Sequence, residues 1–332
     1  MIVIRFMQKK YDFTFSDLFA WVWWFHIALH NLWWTLVTAI ENDDNARITY
    51  KTNFWNWNEN VLWSWLYFWD ITKTDEKLIP NHDILCAWFP CQAFSIAWYR
   101  KWFLDARWNL FFDLCRIINH VKPKAIFLEN VKNLKTHDWW KTYETIEKSL
   151  QSIWYFIKSK VMNSCEYWWV PQNRERIYII WFRDKDAFNR FKFPEKKENK
   201  LWVQDILDKN IDDKYYYKNS VLYPKLKDKI KDKNKAYQRR RIYVRENKSN
   251  IFPTLTANMW TWWHNVPLVL DNNGIRKLTP RECFRIQWFP EDYILPNISD
   301  SHLYKQAWNA VTVPAIQNVW ECVLQALFPN DE

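Results

Sequence analysis

Glycine is almost absent from this chain. It occurs once among 332 residues, as Gly274, whereas ordinary proteins contain about 7% glycine. Because glycine tolerates a positive φ and leaves room for close backbone approach, a chain of this length needs it in its turns. Tryptophan is correspondingly frequent, with 27 residues. The sequence thus has little of the residue that turns require and much of the bulkiest one.

The sequence also lacks the patterns of secreted and membrane proteins. Its six cysteines form no Cys-x-x-Cys pair and no secreted disulfide framework, which favours reduced thiols and a cytoplasmic location. Residues 1–10 contain no hydrophobic segment of signal-peptide length, and no transmembrane span is predicted. His26 and His30 are spaced for one helical face, but no further ligands cluster near them, so no metal site is expected.

Acidic residues are outnumbered by basic ones. There are 47 Lys and Arg against 37 Asp and Glu, which gives a formal net charge of +10. Such an excess favours a polyanionic partner, although a generic basic soluble protein would carry the same charge. Basic residues concentrate in residues 225–248, and a solvated surface or a flexible linker is the default interpretation of such a run.

Short apolar runs alternate with helical patterns over the first half of the chain. Runs with the length and branching of buried strands are residues 13–20, 36–40, 84–88, 125–128 and 177–182. Helical patterns such as 110–119 and 142–154 separate them. The alternation predicts an α/β fold with a mostly parallel sheet and helices on both faces.

Residues 86–95 form the most informative segment, because they contain the sequence Phe-Pro-Cys-Gln-Ala-Phe-Ser. Cys91 follows Pro90 at the end of an apolar run, which predicts a cysteine presented in a rigid strand-to-loop turn. An ordinary buried cysteine is the alternative. Further polar or turn-rich motifs occur at residues 17–25, 38–43, 69–71, 127–131, 172–176, 281–283 and 306–311. In order and spacing, these segments resemble the motifs of the DNA cytosine-5 methyltransferases of bacterial restriction–modification systems.

The resemblance runs from about Asp17 to about Val323 and implies both fold and function. It implies a Rossmann-like, S-adenosylmethionine-dependent methyltransferase domain formed by residues 1–185 and completed by residues 275–332. It implies a smaller target-recognition domain at residues 186–274. The enzyme would methylate C5 of cytosine within a specific duplex DNA sequence. We expect a monomer, with a cognate restriction endonuclease for the same site as a candidate partner.

Four residues would carry the chemistry if the resemblance holds. The Cys91 thiolate would add to C6 of the flipped cytosine, giving an enamine whose C5 attacks the methyl group. Glu129 would hold the N3 and amino edge of the base, and Arg176 would bind the flipped base. Arg174 would support Cys91 and the phosphate. Two arginines on one strand face are otherwise usual on a solvated surface.

The resemblance also implies a site for S-adenosylmethionine. Phe19 would stack on adenine, Glu41 would bind the ribose hydroxyls and Asp70 would accept from the adenine amino group. A core role for Phe19 is the alternative, and Asn42 stands where some relatives have a second aromatic residue. The other cofactor residues implied are Trp21, Trp23, Pro90, Leu110 and Asn309.

DNA contacts are implied in two regions. The nucleophile loop contributes two of them, and the basic run and a Thr-Leu element contribute the rest. The implied residues are Gln92, Ser95, Arg239, Arg240, Arg241 and Thr254.

Tryptophan stands where the family has glycine. Examples are Trp21, Trp23, Trp24, Trp88, Trp98, Trp102, Trp108, Trp181, Trp288 and Trp308. UGA is a stop codon that some genetic codes assign to tryptophan and others to glycine. A gene that uses UGA for glycine would give this pattern when translated with the tryptophan code. A natural tryptophan-rich surface or a deliberate substitution series does not explain the placement at turns.

Tryptophan and glycine at these positions would have different consequences for cofactor binding. Tryptophan in the cofactor loop would fill the pocket and strain the turn by roughly 1–3 kcal/mol at each backbone outlier. The predictions therefore concern the chain with glycine at most of these positions. Two other functions stay open: an RNA cytosine-5 methyltransferase built on the same motifs, and a non-catalytic DNA-binding protein if the tryptophans are genuine.

Overall fold

The computed structural model divides the chain into two compact units. It describes residues 13–22, 24–30, 35–54, 67–88, 106–135, 141–168, 170–197, 203–240, 243–247, 250–256, 259 and 265–329. The first unit comprises Met1–Met162, Glu175–Pro194 and Ile316–Glu332, and the second comprises Asn163–Arg174 and Glu195–Ala315. These units describe backbone packing, and the predicted division into a catalytic domain (1–185, completed by 275–332) and a target-recognition domain (186–274) stays a prediction.

The strands and helices are numbered in chain order. The strands are β1 Thr14–Leu18, β2 Thr35–Ile40, β3 Tyr67–Phe68, β4 Ile84–Ala87, β5 Ala125–Val131, β6 Phe156–Asn163, β7 Gln172–Asn173, β8 Glu175–Phe182, β9 Tyr237–Arg240, β10 Tyr243–Glu246, β11 Phe252–Pro253, β12 Val266–Leu270 and β13 Ile275–Lys277. The α-helices are α1 Trp24–His30, α2 Asp44–Phe54, α3 Ala106–Val121, α4 Lys141–Gln151, α5 Ser164–Tyr167, α6 Lys185–Arg190, α7 Tyr223–Lys229, α8 Pro280–Ile286, α9 Asp300–Asn309 and α10 Val313–Leu327. Short 3-10 segments occur at Glu76–Leu78, Lys132–Lys135, Val203–Ile206 and Asp213–Tyr215.

A seven-stranded sheet organises the first unit, in the order β3-β2-β1-β4-β5-β8-β6. The pairs β1–β2, β2–β3, β1–β4 and β4–β5 are parallel, and β8 is antiparallel to β5. The chain therefore builds outward from β1 to β3 and then returns to the other side of β1 with β4. The predicted α/β fold with a mostly parallel sheet is confirmed.

Apolar side chains cover both faces of this sheet. Successive strand residues point to opposite faces, so Phe127 and Leu128 of β5 lie on different sides. Leu128 belongs to a buried cluster with Leu114 of α3. The ring of Phe127 lies 5.3 Å from the rings of both Phe25 in α1 and Trp320 in α10. The predicted helices on both faces are therefore present.

The second unit contains a four-stranded antiparallel sheet in the order β10-β9-β12-β13. Beside it lies a buried ionic network centred on Arg276 of β13. Its guanidinium donates to both carboxylate oxygens of Glu282, at 2.8 Å each, and to Oδ2 of Asp271 at 2.6 Å. Glu282 also forms the capping box of α8 with Thr279. These bonds fix α8 to the sheet.

Three general features concern the described part of the chain. Among these residues, no helix combines the length and apolar character that a membrane crossing requires. No group of three or more His, Cys, Asp or Glu comes together there as a set of metal ligands. The cysteines described are free thiols: Cys86, Cys115, Cys165, Cys283 and Cys322.

Candidate active site

The carboxyl ends of the parallel strands meet at one edge of the seven-stranded sheet. Backbone hydrogen bonds join the residues that follow these strands. The amide of Ala20 donates to the carbonyl of Ile40 at 3.0 Å, and the amide of Trp88 donates to the carbonyl of Leu18 at 3.4 Å. The direction in which strands are added to the sheet reverses between β1 and β4. Open α/β sheets usually bind ligands at this kind of reversal, outside the carboxyl ends of the strands.

The loop after β1 is fixed to the glutamate that follows β2. The amide of Trp21 donates to Oε2 of Glu41 at 2.7 Å, and the amide of Asp43 donates to Oε1 at 2.7 Å. Phe19 and Trp21 have φ values of 62° and 50°. Bulky residues rarely adopt this conformation, which is concentrated at functional sites. Burial raises the pKa of Glu41 to about 7, although its backbone hydrogen bonds oppose the shift.

Asp17, near the end of β1, is a fully buried acid outside the predicted site residues. Neither of its carboxyl oxygens accepts a hydrogen bond from the residues that the structure describes. Burial, and then the nearby Glu41 carboxylate, raises its pKa well above the usual range. An aspartate within the apolar run 13–20 was the signal that could have revealed it.

Asp70 follows β3, and its pKa lies below the usual aspartate range. Its Oδ1 accepts from the hydroxyl of Thr72 at 2.7 Å and from the amide of Thr72 at 3.0 Å. The hydroxyl bond is the main cause that lowers its pKa. Because β2 and β3 are parallel neighbours, Glu41 and Asp70 lie at the same edge. Leu110 of α3 and Phe19 are partly buried against the apolar cluster beneath this edge.

Glu129 of β5 and Arg176 of β8 come together in the first unit. The two strands are antiparallel neighbours, with Glu129 opposite Tyr178 and Val131 opposite Arg176. Nε of Arg176 lies 3.1 Å from Oε1 of Glu129, and both side chains are buried. A buried acid beside one guanidinium, close to the strand end, can hold a polar base edge while keeping its own charge compensated.

Arg174 belongs to the second unit, and its guanidinium contacts the backbone around Asn309. Nη2 donates to the carbonyl of Trp308 at 2.9 Å and to the carbonyl of Ala310 at 2.5 Å. Asn309 lies between these two residues, and its buried Oδ1 accepts no hydrogen bond from the described residues. The support of Cys91 by Arg174 stays a prediction.

Several predicted site residues lie outside the described residues. They are Trp23, Pro90, Cys91, Gln92, Ser95 and Arg241. Strand β4 ends at Ala87, and Trp88 is bonded to the end of β1. The predicted nucleophile residues Pro90, Cys91, Gln92 and Ser95 come shortly after Trp88 in the sequence.

The predicted DNA-binding residues of the second unit differ in exposure. Arg240 is exposed at the end of β9, but Arg239 is only 5% exposed within the same strand. The hydroxyl of Thr254 donates to the carbonyl of Asn173 at 2.6 Å, beside the parallel pair β7–β11. Of these arginines, Arg240 is the one available to a phosphate. DNA contact by either arginine or by Thr254 stays a prediction.

The fold and this edge define the class of protein. The strand order, the strained loop after β1 and the acidic residues that follow β2 and β3 are those of a Rossmann-like, S-adenosylmethionine-dependent methyltransferase fold. Among solved structures, the Dnmt2 methyltransferase of S. pombe superimposes with a TM-score of 0.74 at 20% identity, covering 95% of this chain and 99% of that one. This likeness shows the fold.

Comparison of sequences gives the family. A model of the C-5 cytosine-specific DNA methylases matches residues 13–325. The type II methyltransferase M.Bsp6I of Bacillus sp. (strain RFL6) is 46% identical, with 88% of this chain and 91% of that protein aligned. M.HpaII of Haemophilus parainfluenzae is 38% identical, with 95% and 90% aligned. The chain belongs to the C-5 cytosine-specific DNA methylases. The predicted family, the enzymatic activity and the DNA substrate are thereby confirmed.

Proposed function

We propose that this enzyme methylates a flipped cytosine in duplex DNA through a covalent adduct with Cys91, using S-adenosylmethionine. The buried contact between Glu129 and Arg176 carries the proposal. These two residues are 47 positions apart in sequence, and their side chains are in contact. They are the side chains that would hold the cytosine ring during attack. A base accessible to such a buried pair must first leave the duplex, because the target atom is covered within the stack.

The acids at the sheet edge fit an adenosine moiety. Each oxygen of Glu41 accepts one amide bond, from Trp21 or Asp43, and a carboxylate oxygen can accept about two. Glu41 therefore has acceptor capacity for ribose hydroxyls. In Asp70, Oδ1 is bound to Thr72, while Oδ2 has, among the described residues, a contact of 3.6 Å to Lys73, so it can accept from the adenine amino group.

The other cofactor contacts rest on the family motifs. Phe19 would stack on the adenine ring, and its positive φ turns the backbone at this point. S-adenosylmethionine supplies an electrophilic methyl group when bound. The residues that would complete its site are Trp21, Trp23, Pro90, Leu110 and Asn309, with glycine in place of the tryptophans.

The chain's own residues then direct the covalent steps. The Cys91 thiolate adds to C6, and the electron pair of the C5–C6 bond moves to C5, which takes the methyl group. Glu129 binds the N3 and amino edge, and Arg176 keeps this acid compensated. Loss of the C5 proton to a base and departure of the Cys91 thiolate restore the aromatic ring.

DNA recognition is assigned to two groups of residues. Arg240 would contact phosphate, and buried Arg239 would support β9 beneath it. The remaining proposed contacts are Gln92, Ser95, Arg241 and Thr254. We further propose that the enzyme acts as a monomer in the cytoplasm, with a cognate endonuclease acting on the same site.

Replacement of the nucleophile tests this mechanism. Cys91→Ser should abolish methyl transfer and leave DNA affinity within a few-fold of the parent, because a hydroxyl ionises far less readily than a thiol. The parent should form a covalent adduct with a 5-fluorocytosine duplex, and the variant should form none. Cys115→Ser is the matched control and should keep full activity. Full activity of Cys91→Ser would refute the covalent mechanism.

A further inference from the structure

Three described tryptophans have a backbone conformation that belongs to glycine. The φ angle is 50° at Trp21, 67° at Trp154 and 64° at Trp288. Asparagine tolerates this region, as at Asn250 and Asn265, but a bulky side chain places its Cβ against the following carbonyl. The fold therefore requires a left-handed backbone conformation at these three positions, and tryptophan adopts this conformation rarely.

Trp154 occupies the glycine position of a helix-ending motif. Helix α4 ends at Gln151, and two backbone bonds close it. The amide of Tyr155 donates to the carbonyl of Leu150 at 3.3 Å, and the amide of Trp154 donates to the carbonyl of Gln151 at 3.0 Å. This pair of bonds defines the Schellman motif, whose left-handed residue is usually glycine. The Trp154 side chain is 84% exposed, so burial does not offset the strain.

The same motif recurs in the second unit after α8. The amide of Phe289 donates to the carbonyl of Phe284 at 3.2 Å, and the amide of Trp288 donates to the carbonyl of Arg285 at 2.9 Å. Trp288 is again the left-handed residue. Two independent helix ends thus place tryptophan where backbone geometry selects glycine.

From these geometries we infer that the functional protein has glycine at positions 21, 154 and 288, and that UGA codons of its gene are translated as glycine. The family motifs point to positions 21 and 288, whereas position 154 follows from the backbone alone. At position 21, glycine would leave the amide bonded to Glu41 while opening the space above the loop. This inference does not depend on the catalytic mechanism.

Peptide mass spectrometry of the protein isolated from its source cells is the direct test. The peptide that contains position 154 should carry glycine, encoded by UGA in the gene. Tryptophan in that peptide would overturn the inference.

A matched pair of variants gives a second test in the tryptophan-containing chain. Trp154→Gly should raise the unfolding temperature by about 2–4 °C, because it removes left-handed strain. Trp69→Gly is the control, since Trp69 is also exposed, at 63%, and its φ is not positive. Trp69→Gly should not stabilise the chain. Equal effects of the two substitutions would contradict a conformational demand at position 154.

A separate observation concerns Arg174. Its main chain is anchored on both sides: its amide donates to Oδ1 of Asn163 at 2.9 Å, and its carbonyl accepts from the amide of Ser164 at 2.9 Å. Its guanidinium, which is fully buried, is therefore directed by a fixed backbone. It donates to the carbonyls of Trp308 and Ala310.

These two carbonyls lie at the end of α9, where helical carbonyls have no intrahelical donor. A guanidinium presents several donors in a rigid fork, so one side chain can satisfy both, and its charge suits the helix C-terminus. Asn309 lies between the two bonds, and its Oδ1 has no donor among the described residues. The two bonds thus fix the backbone that carries this buried amide oxygen.

The geometry points to Arg174 as a positioning residue that fixes the backbone around Asn309 for its ligand. This assignment rests on the proposed role of Asn309 in binding S-adenosylmethionine. If Arg174 positions Asn309, loss of Arg174 should weaken binding of S-adenosylmethionine. Formation of the covalent adduct should continue when the cofactor is saturating.

A double-mutant cycle tests this assignment in the form of the enzyme that binds S-adenosylmethionine. Arg174→Lys should raise the Kd for the cofactor by about tenfold, because lysine cannot bond both carbonyls with the same fork. In the Asn309→Ala background, the same substitution should change the Kd by less than about twofold. Arg174→Gln, which keeps an amide donor, replaces Arg174→Lys if the lysine variant does not fold.

The adduct with 5-fluorocytosine DNA separates the two roles. At saturating cofactor, Arg174→Lys should form it at a rate within a few-fold of the parent. A large loss of adduct rate with unchanged cofactor Kd would overturn the positioning role and favour direct support of Cys91. Additive effects in the cycle would also overturn it. If Asn309→Ala leaves the Kd unchanged, the proposed cofactor role of Asn309 fails, and this assignment fails with it.

Discussion

Buried acids behave differently in the two units. Glu282 in the second unit accepts two bonds from Arg276 and further bonds from the amides of Thr279 and Asp208. Asp17 in the first unit is equally buried and accepts none from the described residues. Folding normally satisfies buried polar groups, because leaving them unpaired is expensive. Glu282 therefore holds its unit together through paired bonds, whereas Asp17 has no such role among the described residues.

Two further acids of the first unit lie between these extremes. Glu129 has the guanidinium of Arg176 at 3.1 Å, and the partners of Glu41 among the described residues are backbone amides. Burial raises the pKa of Glu41 to about 7, and its backbone hydrogen bonds only partly oppose the shift. Compensation of the negative charge therefore decreases in the order Glu282, Glu129, Glu41 and Asp17. Substitution of each acid tests its place in this order.

Glu282→Gln should have the largest effect on stability. It leaves the buried Arg276 without one of its two acidic partners, and breaking a buried pair costs about 3–5 kcal/mol. Chemical denaturation measures the loss. The paired change Arg276→Met with Glu282→Leu removes both charges and should recover part of it. No recovery in the double variant would mean that packing, not charge, dominates the network.

Glu129→Gln should reduce turnover by about 100-fold or more, because the amide cannot change protonation or carry the charge that favours attack. Methyl incorporation at saturating DNA and cofactor measures kcat. Glu175→Gln, in the same strand β8 as Arg176 but at the surface, is the control and should keep normal turnover. A Glu129→Gln rate within a few-fold of the parent would exclude an acid role.

Glu41→Gln should weaken S-adenosylmethionine binding by about 10- to 100-fold, the equivalent of one charge-assisted hydrogen bond. The parent should bind more tightly as pH rises through about 7, because an ionised carboxylate is the stronger acceptor for ribose hydroxyls and the pKa of Glu41 is about 7. The variant should lose this pH dependence. Titration calorimetry at pH 6 and 8 gives both results, and a variant with the parental pH profile would show that another group titrates.

Stability of the ligand-free enzyme should change in the opposite direction with pH. A raised folded-state pKa means that the folded protein holds the Glu41 proton more tightly, so the stabilisation present below about pH 4.5 is lost as pH rises to about 7. Glu144→Gln, on the surface of α4, should leave this decline intact.

Asp17→Asn should have the smallest effect on stability, between zero and a gain of about 1 kcal/mol at pH 7, because no partner is lost. The raised pKa of Asp17 implies that its contribution falls as pH rises above the usual aspartate range, and asparagine removes this fall. Denaturation at pH 5 and pH 8 compares the two proteins. A loss as large as that of Glu282→Gln would reveal a strong partner for Asp17.

Local patterns predicted most of the first sheet. The apolar runs correspond to β1, β2, β4, β5 and β8. A strand buried on both faces consists of consecutive apolar residues, so it is visible in the local sequence. The backbone packs residues 275–315 with the second unit, and the predicted division into a catalytic and a target-recognition domain stays a prediction. Which distant segments pack together depends on tertiary contacts between them. Short sequence motifs carry no information about those contacts.

By itself, the sequence determined the fold class, the family and the order of the motifs, since these depend on periodicity and on residue types at fixed spacing. Only the tertiary structure decided which partners the polar side chains have. Arg174 bonds the carbonyls around Asn309, 134 and 136 residues away, and Asp17 has no donor at all among the described residues. Backbone conformation decided the rest. A positive φ at Trp154 arises from how its helix ends, so the demand for glycine there became visible only in the folded chain.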